Sequence, residues 1–156
     1  MIANLKTLTP PEFAPFGDVF VAPAAGQRTH IARSLQNLRS DADFQCYINH
    51  QTPVELPHKI GVMERHRFSS QAFLPLNVSR YVVAVAPSIE GNRPDTSQLR
   101  CFLATSEQAV NYRAGVWHIP LLVLDRAAQF AVLMWKDGSP DDEEFVTLDE
   151  PMELFA

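Results

Sequence analysis

Apolar residues in this chain do not recur at helical spacing for more than a turn or two. They come instead in short extended runs, each closed by proline, glycine or a polar cluster. The clearest run is residues 80–86, RYVVAVA, which is β-branched and almost continuously apolar, the pattern of a central strand buried on both faces. Residues 44–49, FQCYIN, alternate with period two, placing Phe44, Cys46 and Ile48 on one face and Gln45, Tyr47 and Asn49 on the other. Further strands are expected at residues 18–21, 59–65, 71–74, 99–103, 110–112, 118–124, 130–135 and 145–148. The only helix signal is the capped TPPEFA at residues 9–14. Residues 27–43 read as loop with one irregular helical turn. Many short strands with almost no helix define an all-β barrel or sandwich.

With 156 residues, the chain is expected to form a single domain, residues 1–156, with a core that needs neither disulfide nor metal to fold. A net charge of -5 disfavours nucleic-acid binding, which requires clustered cations. The ten arginines and three lysines are scattered singly, and guanidinium is the better clamp for a carboxylate, so a small anionic ligand is expected. Cys46 and Cys101 lack metal-type spacing, and the first residues lack the apolar core of a signal peptide. No apolar run approaches the roughly 20 residues that span a bilayer. The expectation is a soluble, cytoplasmic protein without membrane or nucleic-acid partners.

Two stretches carry the chemistry. In Glu64-Arg65-His66, the first and third residues project from one face of a strand, and Gln71 returns after the Ser69-Ser70 turn. In VNYRAGVWHIPLL, residues 110–122, a bend at Gly115 leads into Trp117 and His118. If the strand of His118 lies across the barrel, then Glu64, His66, Gln71 and His118 converge on one cavity, a mixed nitrogen and oxygen set that suits a borderline divalent ion. His30, His50 and His58 sit in loop-like text and read as surface residues. Tyr112 and Trp117 are candidates to line the pocket. Arg80, Arg100 and Arg113 are candidate carboxylate clamps. The acidic run at residues 141–144 reads as a solvated turn. Serine-hydrolase, P-loop and Rossmann patterns do not occur.

The strings MERHRFSSQAFLPL (residues 63–76), YVVAVAP, LRCFLA and QAVNYRAGVWHIPLL (residues 108–122), with FAPFGDVF (residues 13–20) near the start, resemble the ureidoglycolate lyase family. The resemblance implies a cupin-type β-barrel (double-stranded β-helix, or jelly roll) and a homodimer. It implies cleavage of (S)-ureidoglycolate to glyoxylate and urea in allantoin catabolism. Glu64, His66, Gln71 and His118 would then hold the positions of a metal-binding set for a divalent ion, nickel or zinc. Two departures stand out: Ile119 where relatives often carry a second histidine, leaving His118 without an adjacent imidazole, and Glu64 and Gln71 in place of the His and Glu of a typical metal cupin.

Ureidoglycolate breaks down when a proton leaves its hydroxyl and another reaches the departing urea nitrogen, which is general acid-base work suited to imidazole. His66 and His118 are the expected acid-base or metal-holding pair, with Glu64 orienting or accepting. Arg100 or Arg113 would clamp the carboxylate, and Gln71, Asn111 and Tyr112 would hold the urea or hydroxyl. The competing readings are a non-catalytic cupin module binding a small carboxylate or sugar acid, and a different metal-dependent cupin enzyme.

Overall fold

The computed structural model describes residues 2–155. Thirteen strands follow in chain order: β1 (Ile2–Asn4), β2 (Lys6–Thr7), β3 (Gly17–Val21), β4 (Asp43–Gln51), β5 (His58–Arg65), β6 (Gln71–Pro75), β7 (Arg80–Ala86), β8 (Arg100–Thr105), β9 (Gln108–Tyr112), β10 (Trp117–His118), β11 (Leu122–Leu124), β12 (Ala128–Lys136) and β13 (Glu144–Phe155). Among the described residues one α-helical turn, α1 (Pro10–Phe13), carries Pro10 and Pro11 in its first turn, its Phe13 is fully buried, and four short 3-10 turns lie in the loops, one of them, Ala32–Ser34, within residues 27–43.

The strands form two sheets. The larger runs β1-β13-β5-β10-β7-β8-β2, with β11 also on β7, and the smaller runs β3-β9-β6-β12-β4. Together they make a cupin-type barrel, in keeping with the all-β expectation.

Strand β7 explains its own composition. Tyr81, Val83 and Val85 face the core between the sheets, beside Phe13, Phe73, Phe102, Phe130 and Val132. Val82, Ala84 and Ala86 face a second core on the other side of the larger sheet, with Ile60, Met63, Trp117, Ile119 and Leu154. A strand buried on both faces tolerates no polar alternation.

Three differences from the sequence reading have local causes. The run at residues 118–124 is broken into β10 and β11 around Pro120, which has no N–H for a ladder. The last strand extends to Phe155, with a register shift between Thr147 and Met152 that hides its continuation behind polar residues. Strands β1 and β2, short and half polar, join edges in parallel fashion against β13 and β8.

The faces of β4 are inverted relative to ordinary hydrophobic patterning. Gln45, Tyr47 and Asn49 lie opposite the inward-facing Met134, Val132 and Phe130 of β12, while Phe44 and Ile48 point outward and are 50% and 58% exposed.

Candidate functional site

The site lies at one end of the barrel, where β10 meets β5. His118 pairs directly with Glu64 on β5 and with Val85 on β7. The two halves of the expected site therefore sit on neighbouring strands of one sheet, which corrects the expectation that His118 faces its partner across the barrel. His66 follows the last residue of β5, and its ring centroid lies 5.5 Å from that of His118. Gln71 arrives from the opposite sheet: it opens β6, pairs with Tyr112 on β9, and places its Oε1 3.1 Å from His118 Nε2. The Tyr112 ring stacks on His118 at 4.1 Å with an interplanar angle of 11°.

The bend before His118 is fixed by Gly115, at φ +81, a left-handed conformation that side-chain-bearing residues adopt only under strain. Its N–H donates to the His66 carbonyl at 2.8 Å, stitching the two halves together. At Gly17, a Cβ would lie 1.9 Å from the Asn111 carbonyl oxygen, so only glycine lets β3 approach β9 this closely.

Backbone carbonyls set the orientation of both imidazoles. His66 Nδ1–H donates to the Asp142 carbonyl at 2.8 Å, and His118 Nδ1–H donates to the Val116 carbonyl at 2.9 Å. A neutral imidazole that donates from Nδ1 presents a lone pair at Nε2. His66 Nε2 is buried without a partner. His118 Nε2 faces two oxygens, Gln71 Oε1 and, at 3.4 Å, Glu64 Oε1. Acceptors thus converge with no donor among them, an arrangement satisfied by a proton on His118 or by a cation. Ligand atoms of Glu64, His66 and His118 all lie within 4.8 Å of one another. This donor set, borderline nitrogen with one carboxylate, fits a divalent transition ion, so these three residues could hold a metal.

The electrostatics separate the roles. Burial pushes the Glu64 carboxyl up, but the hydrogen bond with His118 and the charges of His118, His66 and Lys136 outweigh it and hold it below the usual range. Burial, aided by the His118 charge, pulls His66 below the ordinary imidazole value despite its bond to the Asp142 carbonyl and the nearby Glu64. Glu64 is accordingly an anion and His66 a neutral acceptor at neutral pH.

The acidic run is a solvated turn only in part: Asp141 and Glu143 are exposed, but Asp142 is buried and Glu144 half-buried. The buried Asp142 carboxylate accepts from the N–H groups of Asp137 and Gly138 and from Arg39 Nη2 at 2.5 Å, while its own carbonyl holds His66. Glu143 pairs with Lys136. Glu144 pairs with Arg65 at 2.8 Å, whose guanidinium lies 4.5 Å from the centre of the Trp117 ring. Alternating partners on two sides of one short segment give no sequence signal.

Other expected site residues lie elsewhere. Trp117 is fully buried in the outer core, on the face opposite His118, because neighbours in a strand point to opposite sides. For the same reason Asn111 points away from Tyr112, donating to Asp18 Oδ2 at 3.1 Å and the Ser34 carbonyl at 3.0 Å. Arg113 donates to the Ala14 and Pro15 carbonyls. Arg100 shares the row Glu64–His118–Val85–Arg100, but its guanidinium turns out over Phe16 and donates to the Glu12 carbonyl. Arg80 is paired with Asp125 at the surface.

Sequence reasoning missed Tyr47, Met134 and Lys136. Tyr47 Oη approaches Met134 Sδ at 3.6 Å, and Gln71 Nε2 approaches the same sulfur at 3.7 Å, so these residues extend the wall from Gln71 toward the barrel mouth. Burial raises the Tyr47 hydroxyl, with Lys136 opposing and Glu64 and Glu143 adding to it. Period-two pairing of β4 with β12 was the available signal, had the polar face of β4 been taken as the inner one.

The fold and this pocket define a cupin-type barrel with a carboxylate–imidazole centre that could hold a metal. Its architecture is similar to that of a dTDP sugar isomerase from Desulfovibrio desulfuricans G20 (TM-score 0.50, 19% identity, covering 86% of this chain and 83% of that one). In sequence, the ureidoglycolate lyase family model matches residues 1–155. The chain is 39% identical to a ureidoglycolate lyase of Burkholderia cepacia over 92% of this chain and 85% of that protein. It is 33% identical to one from Pseudomonas aeruginosa strain UCBPP-PA14, over 97% and 94%. The chain belongs to the ureidoglycolate lyase family.

Proposed function

We propose that this enzyme cleaves (S)-ureidoglycolate to glyoxylate and urea, the carbon-nitrogen lyase step of allantoin breakdown. The observation that carries the mechanism is the paired orientation of His66 and His118, each pinned at Nδ1 by a backbone carbonyl with Nε2 left to act, His66 Nε2 buried without a partner and His118 Nε2 3.4 Å from Glu64 Oε1. His66 Nε2 takes the proton of the substrate hydroxyl. As the C–O bond becomes the aldehyde of glyoxylate, the C–N bond breaks and its electron pair leaves with the urea nitrogen. That nitrogen receives a proton from His118 Nε2, which lies 3.4 Å from Glu64 Oε1. A proton passing from His66 to His118 resets the site. Such proton transfers contribute about 10²–10⁴-fold each. Gln71 and Tyr47, on the facing wall, are placed to bond the urea or hydroxyl group, and Tyr112 holds the His118 ring in plane.

A divalent ion, nickel or zinc, would be held by Glu64, His66 and His118 with Gln71 alongside, and would supply a Lewis acid for the substrate oxygens. Elemental analysis paired with assays in chelator and in added nickel or zinc tests this. Stoichiometric metal and chelator-sensitive release of urea and glyoxylate above spontaneous decay support the metal form. Full activity of metal-free protein supports the proton-only form, and no acceleration under any condition refutes the reading. Among the described residues no helix is long and apolar enough to cross a membrane; a cytoplasmic location is proposed for this catabolic step. A homodimer is also proposed, the outward Phe44 and Ile48 of β4 being its natural contact.

A further inference from the structure

With Arg100 and Arg113 turned onto backbone carbonyls, the substrate carboxylate lacks the partner that an arginine was expected to supply. We propose that Lys136 is the carboxylate anchor of this site, held in the free enzyme by Glu143 and handed over to the substrate on binding. The proposal rests on the lyase reading above.

Three observations place Lys136 there. It is the next inward residue of β12 after Met134, and the Met134 sulfur touches both Tyr47 and Gln71, so the Lys136 stem starts at the rim of the wall that faces His118. Its positive charge bears on both the Glu64 carboxylate and the Tyr47 hydroxyl. Its ammonium pairs with Glu143, in a side chain 28% exposed against 40% for Glu143, so the partner is partly solvated and displaceable. The neighbouring cations have firmer ties: Arg39 is chelated between Asp137 and Asp142, and Arg65 is sandwiched between Glu144 and the Trp117 ring.

A flexible ammonium with three donors can swing from one carboxylate to another without the planar match that guanidinium demands. Glu143 then acts as a placeholder, keeping Lys136 charged and ordered while competing with the substrate. This fits a substrate whose carboxylate sits next to the reacting carbon: the anchor at the mouth sets the acid end outward and directs the hydroxyl and urea toward His66 and His118.

The test is calorimetric binding of oxalurate, a non-cleavable anion with the urea and carboxylate of the substrate, against its uncharged amide, oxaluramide. Wild type is expected to favour oxalurate by about tenfold or more, the range of a charge-assisted hydrogen bond. Lys136→Met should abolish that preference, Lys136→Arg should retain part of it, and Glu143→Gln should strengthen oxalurate binding by removing the competitor. Preference for the anion that persists in Lys136→Met, or no preference in wild type, overturns the proposal. Turnover of ureidoglycolate is measured separately on wild type, so failure of the lyase reading and failure of the anchor give different results.

Discussion

At the scale of single residues, the candidate centre depends on which way two imidazoles face. Glu64, His66, Gln71 and His118 were legible as a group because Glu64 and His66 are two apart in a strand and His118 follows a glycine bend. What was not legible is the direction of neighbouring side chains: Trp117 and Asn111 each sit one position from a site residue and therefore point away from it. Ile119 illustrates the same rule. It is 2% exposed in the outer core, so a histidine there would not stand beside His118; the imidazole companion of His118 is His66. The Asp142 carbonyl that orients His66 belongs to a turn braced by a carboxylate with three hydrogen-bond partners, the N–H groups of Asp137 and Gly138 and Arg39 Nη2. Asp142→Ala should leave the Asp137 and Gly138 N–H groups without their acceptor and Arg39 with Asp137 alone, and cost about 2 kcal/mol of stability, read as a lower denaturant midpoint, together with a loss of turnover; an unchanged midpoint would remove the brace from the account. Protonation behaves consistently with burial. The folded value of His66 lies below its ordinary 6.5, so the unfolded chain binds that proton more readily. The stability this group contributes is complete above about pH 6.5 and is lost as pH falls toward the folded value. Urea denaturation at pH 7.5 and 5.5 should show a smaller pH loss in His66→Gln than in wild type.

At the scale of elements, β7 was readable because both its faces are buried, and β4 was misleading because its large apolar side chains face out. Periodicity reports that a strand has two faces and says nothing of which one meets the core. The acidic segment between β12 and β13 was misread in part for a related reason: its residues alternate between Arg39, Lys136 and Arg65, and only tertiary structure brings these cations to it. The Gly115 bend ties its own N–H to the His66 carbonyl, so its conformation and the site geometry are linked. Gly115→Ala meets no steric obstacle within 4 Å and carries only the cost of positive φ, about 1 kcal/mol. A Tm lowered by a few degrees, with a larger fall in kcat than in KM, is the expected result, and unaltered kinetics would separate the bend from catalysis.

At the scale of the whole molecule, two sheets enclose one core while a second core covers the outer face of the larger sheet, leaving the smaller sheet with an apolar outer edge at Phe44 and Ile48. Phe44 is packed edge-to-face on Trp135 at 5.1 Å, and this patch is the contact of the proposed dimer. Ile48→Glu should convert a dimer to a monomer in light scattering, with the barrel still folded; a monomeric wild type would remove the dimer. The all-β class followed from strand density, which left barrel and sandwich open, whereas the cupin-type barrel and the activity required the resemblance and the family match, since a cupin barrel hosts many reactions. The central claim, that Glu64, His66 and His118 form the acid-base centre of a ureidoglycolate lyase, is tested most directly by urea and glyoxylate release from (S)-ureidoglycolate, corrected for spontaneous decay, for wild type beside folded His118→Ala. Wild type should accelerate release and the variant should lose about a hundredfold or more of that rate; a folded His118→Ala that turns over as fast as wild type would contradict it.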